Sequence, residues 1–176
     1  MNKGFAAACA LWLGMGATTA ATAAGPCLRG PEVESLAAVA LPDLIRGAGV
    51  ACLNTLPPEA LVRQPSSELV QRYQAAADAA WPAARAALGR VAPPEIAGLL
   101  NSDLVRPMLT SLITAALIGK VKPGDCRAID RASNLLAPLP PQNTAGLVGM
   151  VLQLVAEEKA KKQESTPIPI CTKDPH

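Results

Sequence analysis

Aromatic side chains are scarce in this chain, with two Trp, one Tyr and one Phe among 176 residues. Phe5 and Trp12 fall in an apolar N-terminal stretch, which leaves Tyr73 and Trp81 for everything after it. Single-stranded nucleic acid is held largely by stacking on aromatic faces, and a long sugar cleft is paved in the same way, so neither has a platform here. Histidine is scarcer still: His176, the last residue, is the only one. Its position removes Ser-His-Asp and Cys-His pairs, acid–base catalysis by imidazole, and zinc sites that use His. The sequence contains no CxxC, GxSxG, GxGxxG, Walker A, EF-hand or HExxH motif. Thioredoxin-like redox chemistry, nucleotide cradles and the common hydrolase sites therefore lose their signatures. Charge is nearly balanced, with sixteen Lys/Arg against fourteen Asp/Glu. Such a chain has no electrostatic case for nucleic acid or an anionic membrane surface. No cofactor or metal is expected.

Carboxylates remain as the one catalytic resource, and a glycosidase-type pair needs one raised and one ordinary pKa at a set separation. Glu157 and Glu158 are adjacent, hence on different faces of a helix, and sit in a charge run with Lys159, Lys161 and Lys162. Glu32 and Glu34 open a helix, where negative charge suits the dipole. Nothing points to a catalytic pair.

What the chain does have begins at Met1. Lys3 gives a positive start, Phe5 to Met15 an apolar core, and Ala21-Thr22-Ala23-Ala24 small residues of the kind a signal peptidase reads. Residues 1–24 are read as a cleaved signal peptide. The apolar run dissolves into Gly, Thr and Ala before reaching the ~20 residues of a spanning helix, so no stable membrane insertion is expected after cleavage. The mature part, residues 25–176, is expected to be one domain in the periplasm or secreted.

Cys27, Cys52, Cys126 and Cys171 survive cleavage, whereas Cys9 leaves with the signal. An even number in an exported chain reads as two disulfides. Pro26 before Cys27 makes a poor lipidation site. Apolar residues recur at three and four, the helical period. The main helices are expected over 67–88, 104–118 and 144–162, with shorter ones over 32–39, 43–52, 59–63, 95–100 and 125–136. In 67–88, Leu69, Tyr73, Ala77, Ala80, Ala84 and Leu88 form a stripe, Ser66 or Ser67 caps the start, Gly89 ends it, and Pro82 should kink or split it. In 104–118 the broad apolar face is Leu104, Val105, Met108, Leu109, Leu112, Ile113, Ala116 and Leu117. In 144–162, Leu147, Val148, Val151, Leu152 and Val155 form the stripe. Pro42 separates 32–39 from 43–52, and Pro57-Pro58, Pro93-Pro94 and Pro140-Pro141 punctuate the rest. The expected fold is all-α: a small disulfide-braced helical bundle with Pro-rich interhelical loops. Its C-terminal tail, residues 165–176, should be extended, because alternating Pro opposes helix, and pinned by Cys171.

Four cysteines allow three pairings. Helix 125–136 rises about 17 Å and an antiparallel 144–162 about 28 Å, so an extended tail could return Cys171 to Cys126. Cys27–Cys52 then follows, provided Pro42 lets the chain double back. This sequential pairing is favoured here over the two alternatives.

One echo stands out. Asp43-Leu44-Ile45-Arg46 and Asp103-Leu104-Val105-Arg106 share D-L-[IV]-R at apparent helix starts. Its plain meaning is an Asp cap with an Arg reaching back. Its sharper meaning is that Arg46 and Arg106 face one cleft and bind an anion. Tyr73 and Trp81, eight residues apart, share a helix face and read as core, with Trp81 also able to line a groove beside the Pro82 kink. Arg46, Arg106, Tyr73 and Trp81 are thus the candidate ligand or partner surface. The function expected is a non-catalytic exported protein acting by protein–protein interaction. A carrier for an apolar small ligand is the alternative, and an enzyme using carboxylates alone comes third.

Overall fold

The structure, a computed structural model, describes residues 26–166 and 168–172. The expected signal peptide, 1–24, and His176 lie outside these residues. The described chain is all-α: α1 (Gly30–Ala51), α2 (Glu68–Val91), α3 (Pro94–Ala97), α4 (Val105–Ile118), α5 (Cys126–Leu136) and α6 (Pro141–Lys161). Short 3₁₀ turns at Leu61–Arg63, Gly98–Asn101 and Pro123–Asp125 join them.

Helix α1 is the central post, with α2, α4 and α6 packed against it. Three apolar clusters follow it from end to end. Leu28, Val33 and Ala87 lie at its start, with Leu36, Val91 and Ile170 against them. Ala37, Leu41, Leu69, Tyr73 and Ala145 fill its middle. Cys52, Leu56, Ala60, Val62 and Cys126 close its far end. Gly49 is required there, because any Cβ would collide with the Val62 carbonyl oxygen, a backbone atom that cannot swing aside.

The two short helices expected at 32–39 and 43–52 are one continuous helix, so Pro42 does not separate them. Proline in a helix interior removes a hydrogen bond at a cost of ~3 kcal/mol. Here the ring is among the most completely buried side chains of the molecule, and its burial offsets part of that cost. Pro82 likewise leaves α2 a single helix. Ser67 Oγ caps α2 by accepting from the Val70 amide at 3.4 Å. Gly89 does not end α2, which runs on to Val91 and stops at an extended Ala92 before Pro93-Pro94. Neither Asp of the D-L-[IV]-R echo caps a helix. Asp43 sits mid-way along α1, and the N-cap of α4 is Leu104, without a side-chain cap.

The disulfides are Cys27–Cys171 and Cys52–Cys126, which corrects the sequential pairing. The reason is α1 itself. Unbroken through Pro42, its 22 residues span about 33 Å at 1.5 Å each and hold Cys27 and Cys52 at opposite ends. The tail returns to the start of α1 instead of to Cys126. There the Leu28 amide donates to the Pro169 carbonyl at 2.7 Å, and the Cys171 amide to the Leu28 carbonyl at 2.9 Å. The result is an isolated parallel bridge between Leu28 and Ile170. Helix α6 ends on Gln163 in the left-handed region (φ 59°). The Gln163 amide bonds the Ala160 carbonyl and the Glu164 amide that of Lys159, a Schellman turn that aims the tail back.

Candidate functional site

Arg46 and Arg106 are linked through α2, by way of Gln74 and Asp78. The Arg46 guanidinium pairs with Asp43 at 2.8 Å and donates to Gln74 Oε1 at 3.0 Å. Gln74 in turn donates to Asp78 Oδ1 at 3.1 Å. Arg106, reaching from α4, pairs with the same Asp78 oxygen at 2.7 Å and lies 5.8 Å from the centre of the Trp81 ring. Hydrogen bonding from Arg106 holds the Asp78 carboxyl below its ordinary pKa, against a smaller desolvation effect and with help from Gln74. Five polar side chains thus bind three helices along one edge. An open groove of about 460 Å³, lined by Arg46, Ser66, Val70, Gln74 and Asp78 among others, runs beside them.

This arrangement can fix helix positions, but it does not make an anion site of the two arginines. Each guanidinium already has a carboxylate of its own, so an added anion would have to compete with Asp43 or Asp78. Tyr73 stands apart from the group: it is 2 % exposed, and its hydroxyl donates to Thr144 Oγ1 at 2.7 Å. Trp81 is only half-buried, so the two aromatics do not form one surface.

Among the carboxylates, Glu32 takes part in a second charged cluster. Its carboxylate accepts from the Arg29 amide at 2.8 Å and from Arg90. Burial works against ionisation, but these two donors outweigh it and hold the Glu32 pKa low. Arg90 also reaches the Cys27 carbonyl. The role is structural: it ties the end of α2 to the start of α1. One cavity, between Leu41, Ile45, Leu69, Tyr73, Leu136 and Thr144, holds about 40 Å³, more than the ~10–15 Å³ that a single water needs.

The feature that sequence reasoning missed is on α4 and α6. The expected stripe of α6 does not face the core. Val148 is half-buried against the central cluster, but Leu147, Val151, Leu152 and Val155 are exposed, together with Met150 and Leu154. The residues turned inward are Thr144, Ala145, Gly149 and Ala156. A Cβ at Gly149 would lie 2.8 Å from Glu34 Cγ and 3.5 Å from Glu34 Cα, so α6 lies against α1 at a distance only small residues permit. Helix α4 repeats the pattern in part. Thr110 is its buried residue; of the expected face, Val105, Leu109 and Ile113 are half-buried, while Leu104, Met108, Leu112 and Leu117 are exposed. Gly47 of α1 marks its close approach, since a Cβ there would come within 3 Å of Thr114 and Ile118. The signal was present as a second stripe of small residues, Ala145, Gly149 and Ala156, spaced four and seven apart on α6.

Among the described residues no helix is long and apolar enough to cross a membrane. Compared with protein-family models, curated proteins and solved structures, the chain matches none of them.

Proposed function

We propose that the mature chain is exported to the periplasm or beyond and acts there without catalysis, as a rigid disulfide-braced scaffold that binds a protein partner. The observation that carries this reading is the outward apolar face of α6. From Pro141 to Ala156 the helix contains no charged residue, yet six of its large aliphatic side chains are exposed. Scattered surface aliphatics need no explanation, but a contiguous row on one helix does. Leu147, Met150, Val151 and Leu154 recur at the three- and four-residue spacing by which an amphipathic helix is gripped. An uncharged face excludes charged side chains opposite it, since burying an unpaired charge is costly. The fitting partner presents an uncharged aliphatic helix stripe. Two disulfides in a small domain support export, because they persist in oxidising compartments.

Photocrosslinking in cells tests this, with the reactive group placed at Leu154 and, as control, at Arg127 on exposed α5. The expected outcome is an adduct with a different protein from Leu154 alone, lost when Val151→Lys is added to a chain whose helical circular dichroism is unchanged. Equal adducts from both positions, or adducts that survive Val151→Lys, would overturn the reading. The mass of the exported chain checks the location: it should begin at Gly25 and lack four hydrogens.

A further inference from the structure

We propose that the Cys27–Cys171 bond is a reducible clasp, and that a dithiol opens it while Cys52–Cys126 stays closed, freeing the C-terminal tail and baring the apolar edge formed by Leu28, Val33 and Ala87. The proposal is independent of the partner reading. It rests on a difference in access and on how little else holds the tail.

Cys52 and Cys126 are each 0 % exposed, packed among Leu56, Ala60 and Val62 with Val121 and Ile129 outside them. Thiol–disulfide exchange needs the attacking thiolate to reach a sulfur, so this bond is open to attack only after the end of α1 comes apart. Cys27 and Cys171 are half-exposed. One belongs to the segment before α1 and the other to the tail, and neither is inside a helix. Among the described residues of the tail, 164–166 and 168–172, two backbone hydrogen bonds reach Leu28 and one half-buried side chain, Ile170, joins the cluster at the start of α1. Those contacts are few against the conformational freedom nine residues regain when released. With the bond intact, the sulfurs hold the ends together and the contacts form at high local concentration. With it cut, the tail leaves.

The exchange balances with an external dithiol as the reductant. Its first thiolate attacks one sulfur of Cys27–Cys171 and displaces the other as a thiolate, giving a mixed disulfide. Its second thiol then displaces the protein sulfur. The dithiol ends as a disulfide, two electrons pass to the protein, and Cys27 and Cys171 each carry a thiol. Leu28, buried beneath the tail at 1 % exposure, becomes accessible together with neighbouring Val33 and Ala87.

The test uses the full oxidised chain, titrated with dithiothreitol, quenched with a maleimide and mapped by mass spectrometry. Expected is an intermediate labelled at Cys27 and Cys171 alone, formed on the order of 100-fold faster than label appears on Cys52 or Cys126, as a local opening outpaces a global one. In that intermediate the Leu28 and Cys171 amides should lose their protection from hydrogen exchange while α1 keeps its own. Cys27→Ser/Cys171→Ser should show the same two amides unprotected without reductant. Simultaneous labelling of all four cysteines, earlier labelling of Cys52 and Cys126, or retained protection of the Leu28 and Cys171 amides after the clasp opens would each overturn it.

Discussion

Helices α2 and α6 both pack on α1, and they do so with opposite halves of their apolar character. In α2 the large residues go in: Leu69, Val70 and Tyr73 are buried with Ala77, Ala84 and Ala87. In α6 the small residues go in, and Leu147, Met150, Val151 and Leu154 go out. Both sequences carry the 3.6-residue period, which shows that a helix has two unlike faces. It does not show which of two apolar faces meets the neighbour. Gly149 and Ala145 bring backbones close, and close backbones give many weak contacts. The outer face is then left with aliphatic surface that stays exposed among the described residues.

Truncating the same residue type on the two helices breaks or sharpens this contrast most strongly. Leu69→Ala on α2, at 5 % exposure, should cost about 3 kcal/mol. Leu154→Ala on α6, at 55 % exposure, should stay within ~0.5 kcal/mol. Urea denaturation reads both, and equal losses would show that α6 is turned the other way. Two glycines on α6 come next. Gly149→Val forces a branched side chain against Glu34 and should cost about 2 kcal/mol. At Gly146 a Cβ meets nothing within 4 Å, so Gly146→Ala should raise stability by about 0.5–1 kcal/mol through helix propensity.

The smallest effect concerns α4, which is held to α2 by polar groups. Asp78 has a lowered pKa in the folded chain, so between its unfolded value of ~3.9 and the folded one the unfolded state binds more protons. The stability it contributes is complete above that window and is lost as pH falls through it. Arg106→Ala should therefore flatten the loss of stability below about pH 4, by less than ~1 kcal/mol because the Asp78 carboxylate is largely solvent-exposed. A parallel pH profile for variant and parent would deny the pair any part in holding α4.

The helices themselves were legible from sequence. Periodicity, Ser67 before Glu68 and the double prolines mark α2, α4 and α6 within a few residues. Pro42 was misleading because a proline reads as a break from its backbone alone, and its burial within α1 is decided by segments far along the chain. The disulfide pairing failed with it. At the candidate site, the two D-L-[IV]-R segments singled out Arg46 and Arg106, which the structure links only through Gln74 and Asp78 of α2, with Arg106 absent from the groove that Arg46 lines. The carboxylate that neutralises Arg106 could not be read, because Asp78 lies on another helix. Which way α4 and α6 turn was hidden for the same reason: it depends on how near α1 stands.

Helix α1 also decides which thiols can meet. Of the four bridged cysteines, Cys27 and Cys52 are the nearest pair along the chain, 25 residues apart. Were the intervening segment slack, they would join and trap the chain. Once α1 is wound, its ~33 Å length keeps them far beyond the roughly 7 Å Cα separation a bridge tolerates. The helix thereby works as a ruler, preserving each thiol for its mate farther along the chain.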